Sequence, residues 1–457
     1  MNIIIAGAGA VGTHLAKLLS REKHNIVVVD ENADRIERID NQLDVQGFVG
    51  QPMSMATLKE IDAAHADLFV SVTPDEAHNL ATCMLANKLG AKKTIARVDN
   101  AEFVTSDTQE FFKSVGIHST FYPEQMAATE IMAGMKRSWI RQFYEFNDGK
   151  LVLLGVKVRQ GAPLLEGNRP IYEIAPQDAP YHIVAIKRCG STIIPRGNHT
   201  LQDRDLVYFM TTPEHLNAIR ELVGKEEYKE VQSLFVVGAD DTTRQLIRMI
   251  PKGMHVKVFE ESSIKRKVLL REVNNNQVTI FRSDGHDIDL LREEGLDHAQ
   301  AFAALSGNSE ENILSCLVAK QAGVRKTVAM IDNLDYLPLA ENLDIGTVVN
   351  KPIFVAGKIY EMMLKADVAS VKSLTVAQAD VAEFHVAENA PITKKMVRDL
   401  KLPEDVALGG LVRNGEGMLI NGNTQIQAKD TVVVFCLINT VNKLEKFFNA
   451  EKSFSLF

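Results

Sequence analysis

Cysteine is scarce in this chain of 457 residues. Cys83, Cys189, Cys316 and Cys436 stand alone, with no C-x-x-C pair. That spacing excludes a zinc knuckle and a disulfide framework, points to no metal site, and fits a reducing compartment. Long apolar runs are missing too: none approaches the ~20 residues needed to span a bilayer, so direct bilayer insertion is not expected. Positive charge is not in excess, with 51 Lys and Arg against 59 Asp and Glu and a net charge of −8. A basic patch or stripe is the footprint of nucleic-acid binding, so no nucleic-acid partner is expected. The first residues have the character of a buried strand, not of a signal peptide. What remains is globular: 46% hydrophobic and 24% charged residues. At this length one core does not suffice, and two to four domains are expected.

The strongest local pattern is at the start. Ile3 to Ala6 reads as a short strand, and Gly7, Gly9 and Gly12 follow in G-x-G-x-x-G spacing. Val11, Leu15, Leu18 and Leu19 then share one face of a helix, and Asp30 ends the next apolar run, Ile26 to Val29. Strand, glycine turn, helix, strand and acid form the dinucleotide fingerprint in full context. Gly7 allows a tight turn, Gly9 leaves room for a pyrophosphate, and Gly12 lets the helix sit close to the strand. The helix N-terminus offers free N–H groups and a positive dipole end to phosphate. Asp30 can accept hydrogen bonds from a ribose diol, and its charge favours NAD(H) over NADP(H).

The alternation continues. A helix over Ala33 to Leu43, a strand at Val45 to Val49, a turn at Gly50, a helix around Leu58 and a strand over Asp67 to Thr73 are expected. A helix from about Asp75 to Leu89 leads to a fifth strand, Thr94 to Val98. This is the pattern of a doubly wound parallel sheet, whose ligands bind beyond the carboxyl ends of the strands. Asp30, Gly50, Thr73 and Arg97 stand at such ends and would surround the crevice of Gly7, Ala8, Gly9, Ala10, Val11 and Gly12. Gly50, Glu76 and Asn79 are lesser candidates to contact the ligand: Glu76 would otherwise match the dipole of its helix, and Asn79 either faces the ligand or caps locally.

An internal repeat organises the whole chain. Ser233 to Ala239 echoes Asn2 to Ala8, and Val256 to Glu260 echoes Ile26 to Asp30. Thr73 and Ser306, and Asn79 and Asn312, share an offset of 233. Further on, Gly197-Asn198, Gln202 and Asp205 match Gly422-Asn423, Gln427 and Asp430 at an offset of 225. The order is A–B–A′–B′. The reading is α/β: two Rossmann-like domains (1–122 and 231–350), each followed by a crossover helix (123–138 and 351–368) and a small α/β module (139–225 and 369–457). In A′, Gly9 becomes Asp240, Val11 becomes Thr242 and Gly12 becomes Thr243. A carboxylate there blocks and repels a pyrophosphate. Only Gly238, Glu260 and Ser306 keep their character, so A′ is expected to fold with a degenerate site.

Over essentially its whole length the chain resembles the Trk-system potassium-uptake regulatory family, with tandem RCK/KTN domains. The matching stretches are Ile3 to Gly12, Val27 to Asp30, Val70 to Asn79, Ile95 to Arg97, Pro123 to Gln125, and Gly197 to Asp205. The resemblance implies a cytoplasmic, non-enzymatic regulatory subunit, peripheral at the inner membrane face, that gates a membrane potassium-transporting partner (TrkH/KtrB-like). It implies NAD(H) as ligand, with ATP or ADP able to use the same cleft. Two tandem chains would form a ring of four A-type domains, with edge surfaces and the crossover helices at the contacts; taken alone, the apolar faces of those helices could equally pack inside one chain. Carried over by position, Gly7 to Gly12 cradle phosphates, Asp30 holds the ribose, Val72 and Thr73 line the cleft, and Arg97 reaches a phosphate. Arg97 becomes Met330 in A′. The alternative is an NAD-dependent oxidoreductase with tandem Rossmann domains. It would need a positioned acid, base or nucleophile, and no catalytic motif surfaces.

Overall fold

A computed structural model describes residues 1–20, 24–273, 276–285, 287–363, 368–374, 379–437 and 441–449. Domain A contains strands β1 (Asn2–Ala6), β2 (Asn25–Asp30), β3 (Gln46–Val49), β4 (Leu68–Ser71), β5 (Thr94–Arg97) and β6 (Ser119–Phe121). Its helices are α1 (Ala10–Leu19), α2 (Ala33–Gln42), α3 (Met55–Glu60), α4 (Glu76–Leu89) and α5 (Ser106–Ser114), with α6 (Pro123–Lys136) leading out. Module B holds β7 (Gln142–Phe146), β8 (Leu151–Lys157), α7 (Ile171–Ile174), β9 (Tyr181–Arg188), β10 (Ser191–Ile193), β11 (Leu206–Thr211) and α8 (Leu216–Leu222).

Domain A′ repeats A with β12 (Ser233–Val237), α9 (Asp241–Arg248), β13 (His255–Phe259), α10 (Ser263–Glu272), β14 (Val278–Phe281) and α11 (Ile288–Glu293). It continues through β15 (Ala301–Ala304), α12 (Ser309–Gln321), β16 (Lys326–Met330), α13 (Leu337–Asn342) and β17 (Thr347–Val349), and α14 (Lys351–Met363) leads out. Residues 364–367 of the expected crossover helix lie outside the described residues, and Val368, its expected end, already opens a strand. Module B′ contains β18 (Val368–Leu374), β19 (Ala379–His385), β20 (Val406–Arg413), β21 (Glu416–Leu419), β22 (Thr431–Leu437) and α15 (Val441–Phe448).

The two Rossmann sheets are parallel and six-stranded, in the orders β3-β2-β1-β4-β5-β6 and β14-β13-β12-β15-β16-β17. Strand β1 is central, and Ile3, Ile4, Ile5 and Ala6 are all buried, as a strand covered on both faces requires. The winding reverses between β1 and β4, which opens a crevice at their carboxyl ends. Right-handed crossovers put α1 and α2 on one face and α4 and α5 on the other.

Packing pairs like with like. One compact unit comprises residues 1–133 and 232–363, joining A to A′; the other comprises 134–231 and 364–457, joining B to B′. Inside the first unit α14 packs on α1, and Gln245 donates to the Tyr122 hydroxyl at 3.4 Å. Ile131 and Met132 of α6, and Val355 and Ile359 of α14, are buried. Of the two uses open to these apolar faces, contact with another chain or packing within one, the second is the one seen in this chain. In the second unit one core takes Leu153, Tyr208 and Met210 from B with Val381, Val433 and Phe435 from B′. The repeated acids of the modules are anchors. Arg188 grips buried Asp205 bidentately at 2.8 and 2.7 Å, and Arg413 grips Asp430 at 2.9 and 2.7 Å.

Candidate functional site

The turn after β1 uses its three glycines for three reasons. Gly7 has φ +113°, and a Cβ there would lie 3.1 Å from the Thr73 nitrogen. Its N–H donates to the Val29 carbonyl at 2.8 Å, which fixes the turn to β2. Gly9 is the N-cap of α1, with φ −72° and ψ −173°. A Cβ at Gly9 would meet no atom within 4 Å, so the space beside it is clear of protein. At Gly12 a Cβ would lie 1.8 Å from the Gly7 carbonyl oxygen, so nothing larger fits. Ala8 is buried, and Ala10 and Val11 form the first turn of α1.

Asp30 ties this turn to the next helix. Its Oδ2 accepts from the Ala8 N–H at 2.7 Å and its Oδ1 from the Asn32 N–H at 2.9 Å. Two of the carboxylate's roughly four lone-pair positions remain. Arg35 stands 3.8 Å away, with 48% of its side chain exposed. Beside Asp30 opens a pocket of about 260 Å³ bounded by Arg35, Gln51, Pro52, Met53, Thr73 and His78. Gly50 is not among the residues bounding it; the Gly50 N–H donates to the Asp30 carbonyl at 3.0 Å. Pro52, Met53 and Pro74 give the pocket an apolar wall among polar and charged groups, a combination that suits a nucleoside.

Two residues considered as ligand contacts are turned inward. Asn79 is fully buried. Its amide donates to the carbonyls of Thr73 (2.9 Å) and Arg97 (3.1 Å), which spends both donors. Its oxygen accepts from Ser71 Oγ, Thr73 N and Thr73 Oγ1. Asn79 therefore braces the ends of β4 and β5 and presents Thr73 to the crevice, whereas Val72 is buried and does not bound the pocket. Glu76 accepts from the N–H groups of Asp99 (2.6 Å) and Asn100 (2.9 Å), so its carboxylate holds the loop after β5.

Arg97 is not among the residues bounding the pocket beside Asp30. It bonds Asp99 at 3.1 Å and lies 3.9 Å from Glu124 of α6. Glu124 in turn meets Lys351 of α14 at 3.5 Å, and Lys351 meets Asp332 at 3.1 Å. This chain of charges joins A to A′. It leaves Arg97 Nε and Glu124 Oε2 buried without partners. The buried cysteines are inert: burial pushes the Cys83 and Cys316 thiols up to about 12. Among the described residues no group of three or more His, Cys, Asp or Glu side chains is arranged to hold a metal ion.

In A′ the scaffold is the same and the contents differ. Gly238 has φ +94° and donates to the Phe259 carbonyl at 2.9 Å. Glu260 accepts from the N–H groups of Ala239 (2.8 Å) and Ser262 (2.7 Å). Ser306 is braced by Asn312 as Thr73 is by Asn79. The place of Gly9 is taken by Asp240, with φ −76° and ψ 176°, ion-paired to Lys265. A pocket of about 380 Å³ there is walled by Glu124, Asp240, Asp241, Arg244, Lys265 and Lys351. Arg35 and Lys265 were missed in the sequence, although each stands five residues after its acid, Asp30 or Glu260.

A family model described as the TrkA-N domain matches residues 3–123 and 234–351, and one described as the TrkA-C domain matches 154–224 and 381–449. The Trk system potassium uptake protein TrkA of Vibrio alginolyticus is 28% identical over 99% of this chain and 100% of its own. Among solved structures, the GsuK RCK domain aligns with TM-score 0.60 and 16% identity, over 98% of this chain and 94% of that one. A GsuK channel bound to NAD aligns with TM-score 0.59 and 15% identity, over 98% and 78%. The structural likenesses establish a shared fold.

Proposed function

From the premise that this chain belongs to the TrkA family of Trk-system potassium uptake proteins, with two TrkA-N and two TrkA-C domains, we propose that it is a nucleotide sensor that gates a membrane potassium-transporting subunit. The family is not one of oxidoreductases: its relatives are named for potassium uptake and the shared fold is that of RCK domains. The observation that carries the proposal is the turn in A. It combines a clear space at Gly9, the free end of α1, and a carboxylate at Asp30 beside a nucleoside-sized pocket. NAD(H) fits that arrangement, with phosphates at Gly7 to Gly12 and the adenosine ribose at Asp30. ATP and ADP share the adenosine half and compete. The negative Asp30 disfavours a 2′-phosphate, so NADP(H) binds more weakly.

Gating follows if the ligand binds one arrangement of the A–A′ pair better than the other. A coupling of about 1–3 kcal/mol gives a 5–150-fold effect. The chain works on the cytoplasmic side of the membrane through a TrkH/KtrB-like partner. Among its described residues no helix is long and apolar enough to cross a membrane itself. Two chains assemble into a ring of four A-type domains. The face opposite the crossover helices supports this, because Met84 of α4 and Phe111 of α5 are exposed there, with Leu314 of α12 and Leu339 of α13 in A′. The deciding experiment is thermal-shift titration with NAD, NADH, ATP and ADP, paired with potassium flux through the partner in vesicles. A ligand of the folded state raises the melting temperature by mass action. No shift with any of the four, or a shift with no change in flux, refutes the proposal.

A further inference from the structure

The two copies allow one to be read as a picture of the other in its charged state. Their scaffolds match bond for bond. In each, the first glycine of the turn donates to the end of the second strand, the next residue donates to the acid, and the acid accepts from the N-cap of the following helix. The N-cap side chain then accepts from the third helical residue, Asn32 from Arg35 at 3.1 Å and Ser262 from Lys265 at 3.4 Å. Gly9 and Asp240 share one backbone conformation. Arg35 and Lys265 are therefore the same position in the same frame.

They differ in what stands in front of them. In A′ a carboxylate occupies the turn, and Lys265 has crossed to it. That hydrogen bond to Asp240 also raises the Lys265 pKa above its ordinary value. In A the corresponding space carries no side chain, and Arg35 rests half-exposed near Asp30. Asp240 is an anion fixed by the chain at the place where a ligand phosphate enters A. Lys265 shows that a cation on the third residue of this helix reaches it, and an arginine reaches at least as far. Resting on the nucleotide reading of A, we infer that Arg35 is the residue that closes on the phosphates of the ligand bound there. Ligand entry thus moves Arg35 from Asp30 to phosphate and leaves the Asp30 carboxylate to the ribose.

The inference separates phosphate from nucleoside, and so does its test. Adenosine, ADP and NADH are titrated against the full chain and its Arg35→Gln and Arg35→Lys variants, with circular dichroism to verify folding. Arg35→Gln is expected to weaken ADP and NADH tenfold or more, to leave adenosine within twofold, and to be largely rescued by lysine. A general structural role would weaken all three alike. ADP binding as tight in Arg35→Gln as in the parent, or an equal loss for adenosine, overturns the role of Arg35 and leaves the nucleotide reading standing. A parent chain that binds neither ADP nor NADH overturns both. Should the glutamine variant misfold, Arg35→Lys still decides, because equal losses of adenosine and ADP there refute a phosphate contact.

Discussion

Domains A and A′ have one backbone plan and two chemistries. The turn survives in A′ because only its first glycine is needed for its shape: Gly7 and Gly238 both take positive φ, which other residues rarely adopt. The second glycine is not needed for the backbone, since Gly9 and Asp240 adopt the same extended angles. The third sets how close the helix sits. In A a Cβ at Gly12 would overlap the Gly7 carbonyl oxygen. In A′ Thr243 fits and donates its hydroxyl to the Gly238 carbonyl at 2.8 Å. The first turn of α9 must then stand further from its strand than that of α1. The comparison separates fold from function within a single motif. One glycine makes the turn, one leaves clear space beside it, and one seats the helix.

The largest expected effect comes from making A like A′. Gly9→Asp should abolish NADH binding, at least ~100-fold or about 2.7 kcal/mol, while barely moving the melting temperature, because its Cβ meets no neighbour. Calorimetric titration and a thermal melt check both halves. Undiminished binding would break the comparison, and so would unfolding.

The third glycine gives the opposite signature. Gly12→Thr should cost about 1–3 kcal/mol of stability, the range for overpacking, because α1 has not moved away as α9 has. Denaturant unfolding measures it. A Gly12→Thr chain as stable as the parent would show that α1 shifts freely, and the difference between the two helices would lose its meaning.

The asparagine braces should be alike in stability and unlike in function. Asn79→Ala and Asn312→Ala each strand several buried partners and should each cost about 1–3 kcal/mol. Only the first should also weaken NADH, since only Thr73 borders the ligand pocket. Equal effects on binding would place a working site in A′.

Much of this was legible in the sequence. Gly7 to Gly12, Asp30 and the repeated residues identify the sheet, the crevice and the duplication, because the turn and the strand-end acid are local patterns. The departure of the second copy was legible as well, since Asp240 puts a carboxylate where the first copy has Gly9. The pairing of A with A′ and of B with B′ was not, because chain order says nothing about which apolar faces meet. Asn79 could not be assigned either: an amide at that position can face a ligand or two strand ends, and only the carbonyls of Thr73 and Arg97 decide. Arg35 and Lys265 looked like ordinary charges on solvated helices until Asp240 was seen with its partner.

The smallest effect sharpens the comparison of whole halves. Burial holds the imidazole of His118, before β6, below its ordinary pKa, with Lys93 and Lys113 adding to it. Burial does the same to His182 in β9, more than its hydrogen bond with the Gly409 backbone offsets. The repeat puts Gly346 and Ala407 at the matching positions, so the second half lacks both groups. A histidine with a depressed folded pKa is neutral in the native state while the unfolded chain takes up the proton. Its contribution is whole above the unfolded value of about 6.5 and is lost as the pH falls below it. The melting temperature should therefore decline more steeply below that pH in the parent than in a His118→Asn, His182→Ala chain. Asparagine can keep an acceptor for the Thr94 N–H, which His118 Nδ1 takes at 3.1 Å. If the two profiles run parallel, the acid sensitivity is not confined to the first half, and the halves differ only at the ligand turn.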